Sequence, residues 1–347
     1  MNRPGERTLR LMTSPVAEFL ADAATTEIVV NRPGEVGVER RGEWTWHAVP
    51  EFDYARLDGI ATLAAAMMKQ DVGPDKPLCG SFMPDGERIQ ICRPPVTSGG
   101  VISLTIRKPP GIAPSLDTLA GHGLFNATET SHQQAHPMDA ELGSLHRSKD
   151  WLSFFRLAVQ SHKNIIICGK TGSGKTTIAR ALLQSIPLDE RLLTIEDAPE
   201  FGILPHRNVV NLFYSKGDQG SARVRAEDLI EASLRMRPDR LILQELRDGA
   251  AYSYIRGIAS GHPGSITTVH ADTPEGAFDV LRLMIKQHDA GKHIGDADVL
   301  TLLRQHVDIV AHCDKKPYRI TQVYFDPAAK LAAASRGVQQ PYPMAAE

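Results

Sequence analysis

Eight residues, GKTGSGKT from Gly169 to Thr176, place three glycines, two lysines and three hydroxyl side chains where a phosphate chain can be held. They fit the pattern G-x-x-x-x-G-K-[ST]. They also follow the apolar run NIIIC and open the helical run TTIARALLQSI, which is the strand, loop and helix order the pattern requires. Gly172 and Gly174 let the backbone curl, so that its amides and the helix N-terminus face phosphate oxygens. Lys175 then reaches the β and γ phosphates of a nucleoside triphosphate, and Thr176 is placed to ligate Mg²⁺. The nucleotide-binding set read this way is Gly169, Lys170, Thr171, Gly172, Ser173, Gly174, Lys175, Thr176 and Thr177.

Hydrolysis needs, in addition, an acid that orients water or holds the metal. Two strand-like runs end in acids. RLILQELR delivers Glu245 to the C-terminal end of a strand, the edge where open α/β sheets bind ligands. LLTIEDAPEF delivers Glu196 and Asp197, with Glu200 shortly after. Acids before a proline are also ordinary turn residues, so residue types alone leave open which of Glu245, Glu196 and Glu200 acts. The stretch SGHPGSITTVHADT adds His262 and His270 after another strand. Its own residues are compatible with a metal site, a nucleophile with its base, or a phosphate reader.

These side chains need a scaffold. The 347 residues exceed one ordinary core and suit two domains. A 42% hydrophobic and 23% charged composition is that of a globular chain, which excludes disorder throughout. A formal net charge of −2 provides no general basic field, so sequence-specific nucleic-acid binding is not expected. The longest apolar stretch, near GIATLAAAMM, falls short of the roughly 18 to 20 residues that cross a bilayer. The start, MNRPGERTLRLMTSP, lacks a signal-peptide core, and a cytoplasmic location is expected. Cys79, Cys92, Cys168 and Cys313 form no C-x-x-C pair and read as reduced packing residues.

Along the chain, a helix over residues 14–22 with Ser14 as its cap precedes three strands, EIVVN, GVER and WTWHAV. The run FDYARLDGIATLAAAMMKQ has helical spacing, and LCGSFM, RIQICR and VISLTIR supply three more strands. This predicts a small α+β domain over 1–108. Residues 109–150 read as a linker rich in Pro, Ser, Thr, His and Gln. It carries His132 and His136 four apart, but no acid or cysteine completes a metal site. Over 151–326, the runs NIIICG, LLTIED, NVVNLFY, RLILQEL, SITTVHA and DIVAHC alternate with helices. That pattern predicts a mostly parallel sheet covered by helices. Residues 327–347 read as a flexible tail.

Four boxes in order, GKTGSGKT, TIEDAPE, SLRMRPDRLILQELRD and SGHPGSITTVHA, resemble the bacterial secretion ATPases. The segments NRPGE, GERIQICRPP, SLTIRKP and LPHRNVVNLFYS are most similar to the type IV secretion and conjugation branch. The resemblance implies a RecA-like P-loop domain that hydrolyses ATP with Mg²⁺ and a homo-hexameric ring. It also implies inner-membrane secretion components as partners and a peripheral place at the cytoplasmic face of that membrane. It makes His270 a γ-phosphate sensor in contact with the water-activating acids, and has His262 shape the box or touch a neighbouring subunit. Arg88 and Arg107 of the first domain would reach the phosphates when the domains close. Gln244 is a departure, since many relatives have a small residue before the acid. A pilus or type II secretion motor, a P-loop small-molecule kinase and a non-hydrolysing nucleotide-dependent scaffold share parts of the pattern.

Overall fold

The computed structural model describes residues 5–109, 115–128, 136–215, 222–315 and 318–337. The chain forms two compact units, Met1–Gln133 and Gln134–Glu347.

In the first unit the helices are Glu6–Met12 (α1), Ala17–Ala21 (α2), Tyr54–Met67 (α3) and Leu116–Gly121 (α4). The strands are Thr25–Val30 (β1), Glu35–Arg40 (β2), Glu43–Ala48 (β3), Leu78–Phe82 (β4), Arg88–Cys92 (β5) and Ser103–Arg107 (β6). They form one sheet in the order β3-β2-β1-β6-β5-β4, and every neighbouring pair is antiparallel. Asp53 caps α3, its side chain accepting from the Arg56 amide at 2.8 Å. Leu57, Ile60, Ala61, Ala64 and Ala65 then recur at helical spacing on one buried face. They share a core with Ile28, Ile91 and Leu104 of the sheet.

The single helix expected over residues 14–22 is instead a 3₁₀ turn, Ser14–Val16, leading into α2. Ser14 caps neither helix; its hydroxyl donates to the Leu11 carbonyl at 2.8 Å and so closes α1, an element the sequence reading did not anticipate.

The second unit begins with Asp139–Ser148 (α5), Trp151–Gln160 (α6), Ile165–Cys168 (β7), Lys175–Leu183 (α7), Leu192–Glu196 (β8) and Val209–Phe213 (β9). It continues with Ala226–Ser233 (α8), Arg240–Leu243 (β10), Ala250–Ala259 (α9), Ile266–Val269 (β11) and Pro274–Gln287 (α10). Asp296–His306 (α11), Ile309–Asp314 (β12), Arg319–Phe325 (β13) and Pro327–Gly337 (α12) complete it. The fold is mixed α/β. Two sheets form, β10-β8-β9 and β11-β7-β12-β13. All pairs are parallel except β12 with β13, which is antiparallel.

The two sheets meet between β10 and β11, where the Leu246 amide donates to the Thr268 carbonyl at 2.8 Å and the Thr268 hydroxyl to the Gln244 carbonyl at 2.9 Å. Strand β13 was not foreseen, because its half-exposed, polar-rich edge position gives RITQVYF no buried apolar run. The expected tail begins with a helix, α12: Gln305 donates to the Ala333 carbonyl at 2.8 Å and Lys330 reaches Asp308 at 2.5 Å. Residues 338–347 lie outside the described residues. Helix α5, from the stretch read as linker, contributes buried Leu142 to the second core. Its Asp139 meets buried Lys163 at 2.6 Å.

Buried polar side chains set the register. Asn164, just before β7, receives the amides of Gly264 and Ser265 at 2.9 and 3.1 Å and donates to the His306 carbonyl at 2.8 Å. One amide side chain thereby aligns the starts of β7, β11 and β12. Arg240, fully buried at the start of β10, makes a two-pronged contact with Glu190 at 2.5 and 2.8 Å and donates to the Val159 carbonyl at 2.8 Å. With the starts aligned, the ends of β7, β8, β10 and β11 deliver their following residues to one edge.

Among the described residues, no helix is long and apolar enough to cross a membrane. The four cysteines are free and buried. His132 lies outside the described residues; among those described, no cluster of three metal-ligating side chains occurs.

Candidate phosphate-binding and catalytic site

The loop from Gly169 to Gly174 joins β7 to α7. Gly169 has φ 152°, and a Cβ there would lie 2.4 Å from the Cys313 carbonyl oxygen, so only glycine lets the loop lie against β12. Gly174 has φ 90° and opens α7 without a side-chain cap, leaving the first-turn amides free for an anion. Lys175 folds back over the loop: its ammonium donates to the carbonyls of Gly169 and Lys170 at 2.9 and 3.2 Å. Burial of this side chain lowers its pKa, against the opposing pull of Glu245.

From Lys175 a continuous polar chain runs across the edge. His270, the residue after β11, places Nδ1 3.3 Å from the Lys175 ammonium. Its Nε2 lies 2.9 Å from Glu245 Oε1, an ion-pair distance without hydrogen-bond alignment. The other oxygen of Glu245 accepts from Arg247, a bond that raises the arginine's pKa. Arg247 also approaches Asp197 at 3.4 Å, and the Asp197 amide donates to Gln244 Oε1 at 3.0 Å. Three strand ends, those of β8, β10 and β11, are thus tied to the loop after β7.

The three candidate acids have different surroundings. Glu245 is in the chain just described. Glu200 is exposed and accepts from the Thr176 hydroxyl at 3.1 Å, beside the loop. Glu196 is fully buried, and its two oxygens accept from Thr194 Oγ and the Phe201 amide, each at 2.9 Å. Burial raises its pKa. Its contacts hold the turn that carries Asp197 and Glu200.

The two histidines of the box are separated. His270 follows β11 at the loop edge, whereas His262 precedes that strand, at the opposite edge pinned by Asn164. A cleft of about 720 Å³ opens beside the loop, lined by Lys170, Thr171, His270, Asp272, Thr273 and Lys315 among others. Ser173 is buried and faces Cys313 Sγ at 3.2 Å, while Thr177 is exposed on the first turn of α7. In the first unit, Arg88 and Arg107 are directly paired across β5 and β6. Both are exposed, and Arg107 lies 3.6 Å from Glu27.

Sequence reasoning did not single out Arg247, although it stands within the quoted QELRD. Its role comes from contacts with Asp197, some 50 residues away, and only the double acid at the end of β8 could have hinted at a cationic partner. Gln244, read as a departure, proves to be the clasp between the two acidic strand ends.

Comparison with known proteins gives a consistent result. The model of the Type II/IV secretion system protein family matches residues 132–340. The type IV secretion system protein VirB11 of Bartonella henselae is 43% identical over 326 residues, which cover 90% of this chain and 91% of that protein. Its counterpart in Brucella suis is 42% identical over 325 residues, covering 92% and 90%. The crystal structure of the VirB11 ATPase from the Brucella suis type IV secretion system, in complex with sulphate, superposes with a TM-score of 0.91. It is 40% identical and covers 95% of this chain and 98% of that one.

Proposed function

The chain belongs to the type II/IV secretion system protein family, and on that premise we propose how its geometry does the family's work. The protein is an ATPase that energises a type IV secretion system. The observation that carries our reading of its site is the chain from Lys175 through His270 to Glu245 at the end of the phosphate loop.

The loop amides and the N-terminus of α7 bind the β and γ phosphates, with Lys175 as a point charge between them. Glu245 orients a water for in-line attack on the γ phosphate. His270 touches both groups, senses whether that phosphate is present and holds Glu245 towards it. Arg247, anchored on Asp197, fixes the second carboxylate oxygen. Glu196 shapes the turn that presents Glu200.

The oxygen donors fit Mg²⁺, a hard cation. The Thr176 hydroxyl and the Glu200 carboxylate stand together beside the loop, and Glu245 Oε1 is buried without an aligned hydrogen bond. Thr176 and Glu200 would hold the ion. When bound, it would neutralise charge on the outer phosphates.

We extend the proposal to a RecA-like sheet for the second unit, supported by the parallel order around β7 and β8. A homo-hexamer working at the cytoplasmic face of the inner membrane, with membrane-embedded secretion components as partners, follows from the family. Arg88 and Arg107 are assigned to the phosphates on the resemblance of GERIQ and LTIRKP.

Phosphate release from ATP, measured for the full chain and for Lys175→Ala with no acceptor present, tests the reading. Release that is lost in the variant supports it. Transfer to a small-molecule acceptor would identify a kinase, and binding without turnover in the presence of the membrane partners would identify a scaffold.

A further inference from the structure

The turn after β12 carries a cation that nothing above uses. Lys315 is exposed and borders the cleft shared by Lys170, Thr171 and His270. A Cβ placed on Gly172 would lie 3.3 Å from Lys315 Cε and 3.5 Å from its Nζ, so the side chain lies along the phosphate loop itself. Its backbone amide is fixed on Asp314 Oδ1 at 2.7 Å. Directly before β13 the ring of Tyr318 sits against the next glycine, with Cδ1 2.8 Å from a Cβ placed on Gly174. Lys315 and Tyr318 therefore each lie against a glycine of the loop. Lys170 in the same cleft faces Asp272 at 3.7 Å, whereas the Lys315 ammonium has no acidic partner among the described residues.

We propose that Lys315 is a second phosphate-contacting lysine, acting on the terminal phosphate of the bound nucleotide. The position favours that end: Lys315 lies against Gly172 and shares its cleft with His270, the residue assigned to sensing the terminal phosphate. An exposed ammonium with no acid to satisfy it has little to lose on meeting a phosphate oxygen, and its positive charge opposes the one further negative charge that a triphosphate carries over a diphosphate. Glycine at 172 leaves room for the lysine stem to lie flat. The inference rests on the nucleotide reading of the loop.

The test is calorimetric titration of the full chain with ADP and with a non-hydrolysable ATP analogue. Lys315→Gln should weaken the analogue about tenfold while ADP binding stays within about twofold. Lys315→Arg should keep most of the analogue affinity, because charge rather than shape is required. Wild-type protein that binds neither ligand would sink the nucleotide reading itself. Wild-type binding with the analogue unchanged in Lys315→Gln, or with ADP weakened equally, would overturn the assignment of Lys315 to the terminal phosphate.

Discussion

His270 stands between Lys175 and Glu245, its Nδ1 3.3 Å from the lysine ammonium and its Nε2 2.9 Å from a carboxylate oxygen. One imidazole thus touches both the cation that meets the phosphates and the acid assigned to the water. Neither contact bears on adenosine. His270→Ala should therefore lower turnover by about ten- to a hundredfold while ATP affinity changes by only a few-fold. ADP binding is the control: a loss for ADP as large as for ATP would place the residue away from the terminal phosphate.

The acids separate by environment. Glu245→Gln should leave ATP bound and slow hydrolysis at least about a hundredfold, or about 2.7 kcal/mol of barrier. Glu196→Gln should instead lower thermal stability, by about 1–3 kcal/mol, since one of its two buried hydrogen bonds loses its acceptor. Single-turnover rates and melting curves on both variants decide between them. A Glu196→Gln protein with normal stability and no turnover would move the catalytic role to Glu196.

Gln244→Ala removes the acceptor of the Asp197 amide. The side chain ties one acidic strand end to the other rather than belonging to the phosphate loop, so kcat should fall several-fold with KM nearly unchanged. A rise in KM alone would mean that the clasp shapes nucleotide binding rather than the acid.

Arg88→Ala and Arg107→Ala test the role assigned to the first unit. If each arginine meets transition-state charge, each change should cut hydrolysis strongly, by up to about a thousandfold. Arg→Lys should restore little, because an ammonium keeps the charge and loses the fork. Normal turnover in both alanine variants, as assembled oligomers, would make the paired arginines a surface feature of the sheet.

A pH dependence follows from Glu190. Burial alone would raise its pKa, but the two-pronged bond from Arg240, helped by His162, holds it down to about 2 from an ordinary 4.5. A carboxylate with a depressed pKa stabilises the fold above its unfolded value and loses that contribution as pH falls towards the folded value. Denaturant titrations should show stability falling between about pH 4.5 and 2, and Glu190→Gln should flatten that limb. An unchanged acid limb in the variant would remove Glu190 from the account.

The phosphate loop was legible in the sequence because its requirements are local. A buried strand, glycines at fixed offsets and a lysine opening a helix are all set by backbone conformation within a dozen residues. The strands of the first unit were legible for a similar reason, since alternation and turn residues act at short range, and α3 declared its buried face through Leu57, Ile60, Ala61 and Ala64. The half-exposed edge strand β13 and the Ala-rich α12 left no such mark. They form because β12 and α11 offer partners, and pairing with a partner is not written in a strand's own residues.

The acids show the same division. Composition and order brought Glu196, Glu200 and Glu245 forward alike, as carboxylates near strand ends. Only the folded chain separates them: the bond from the Leu246 amide to the Thr268 carbonyl, across the seam of the two sheets, brings Glu245 to His270, the turn after β8 closes over Glu196, and Glu200 remains outside beside Thr176. Sequence alone determined which chemistry this protein carries, because that depends on residue types at short spacing. Tertiary structure decided which group does each part, because burial and contact across strands set the charge and reach of a side chain.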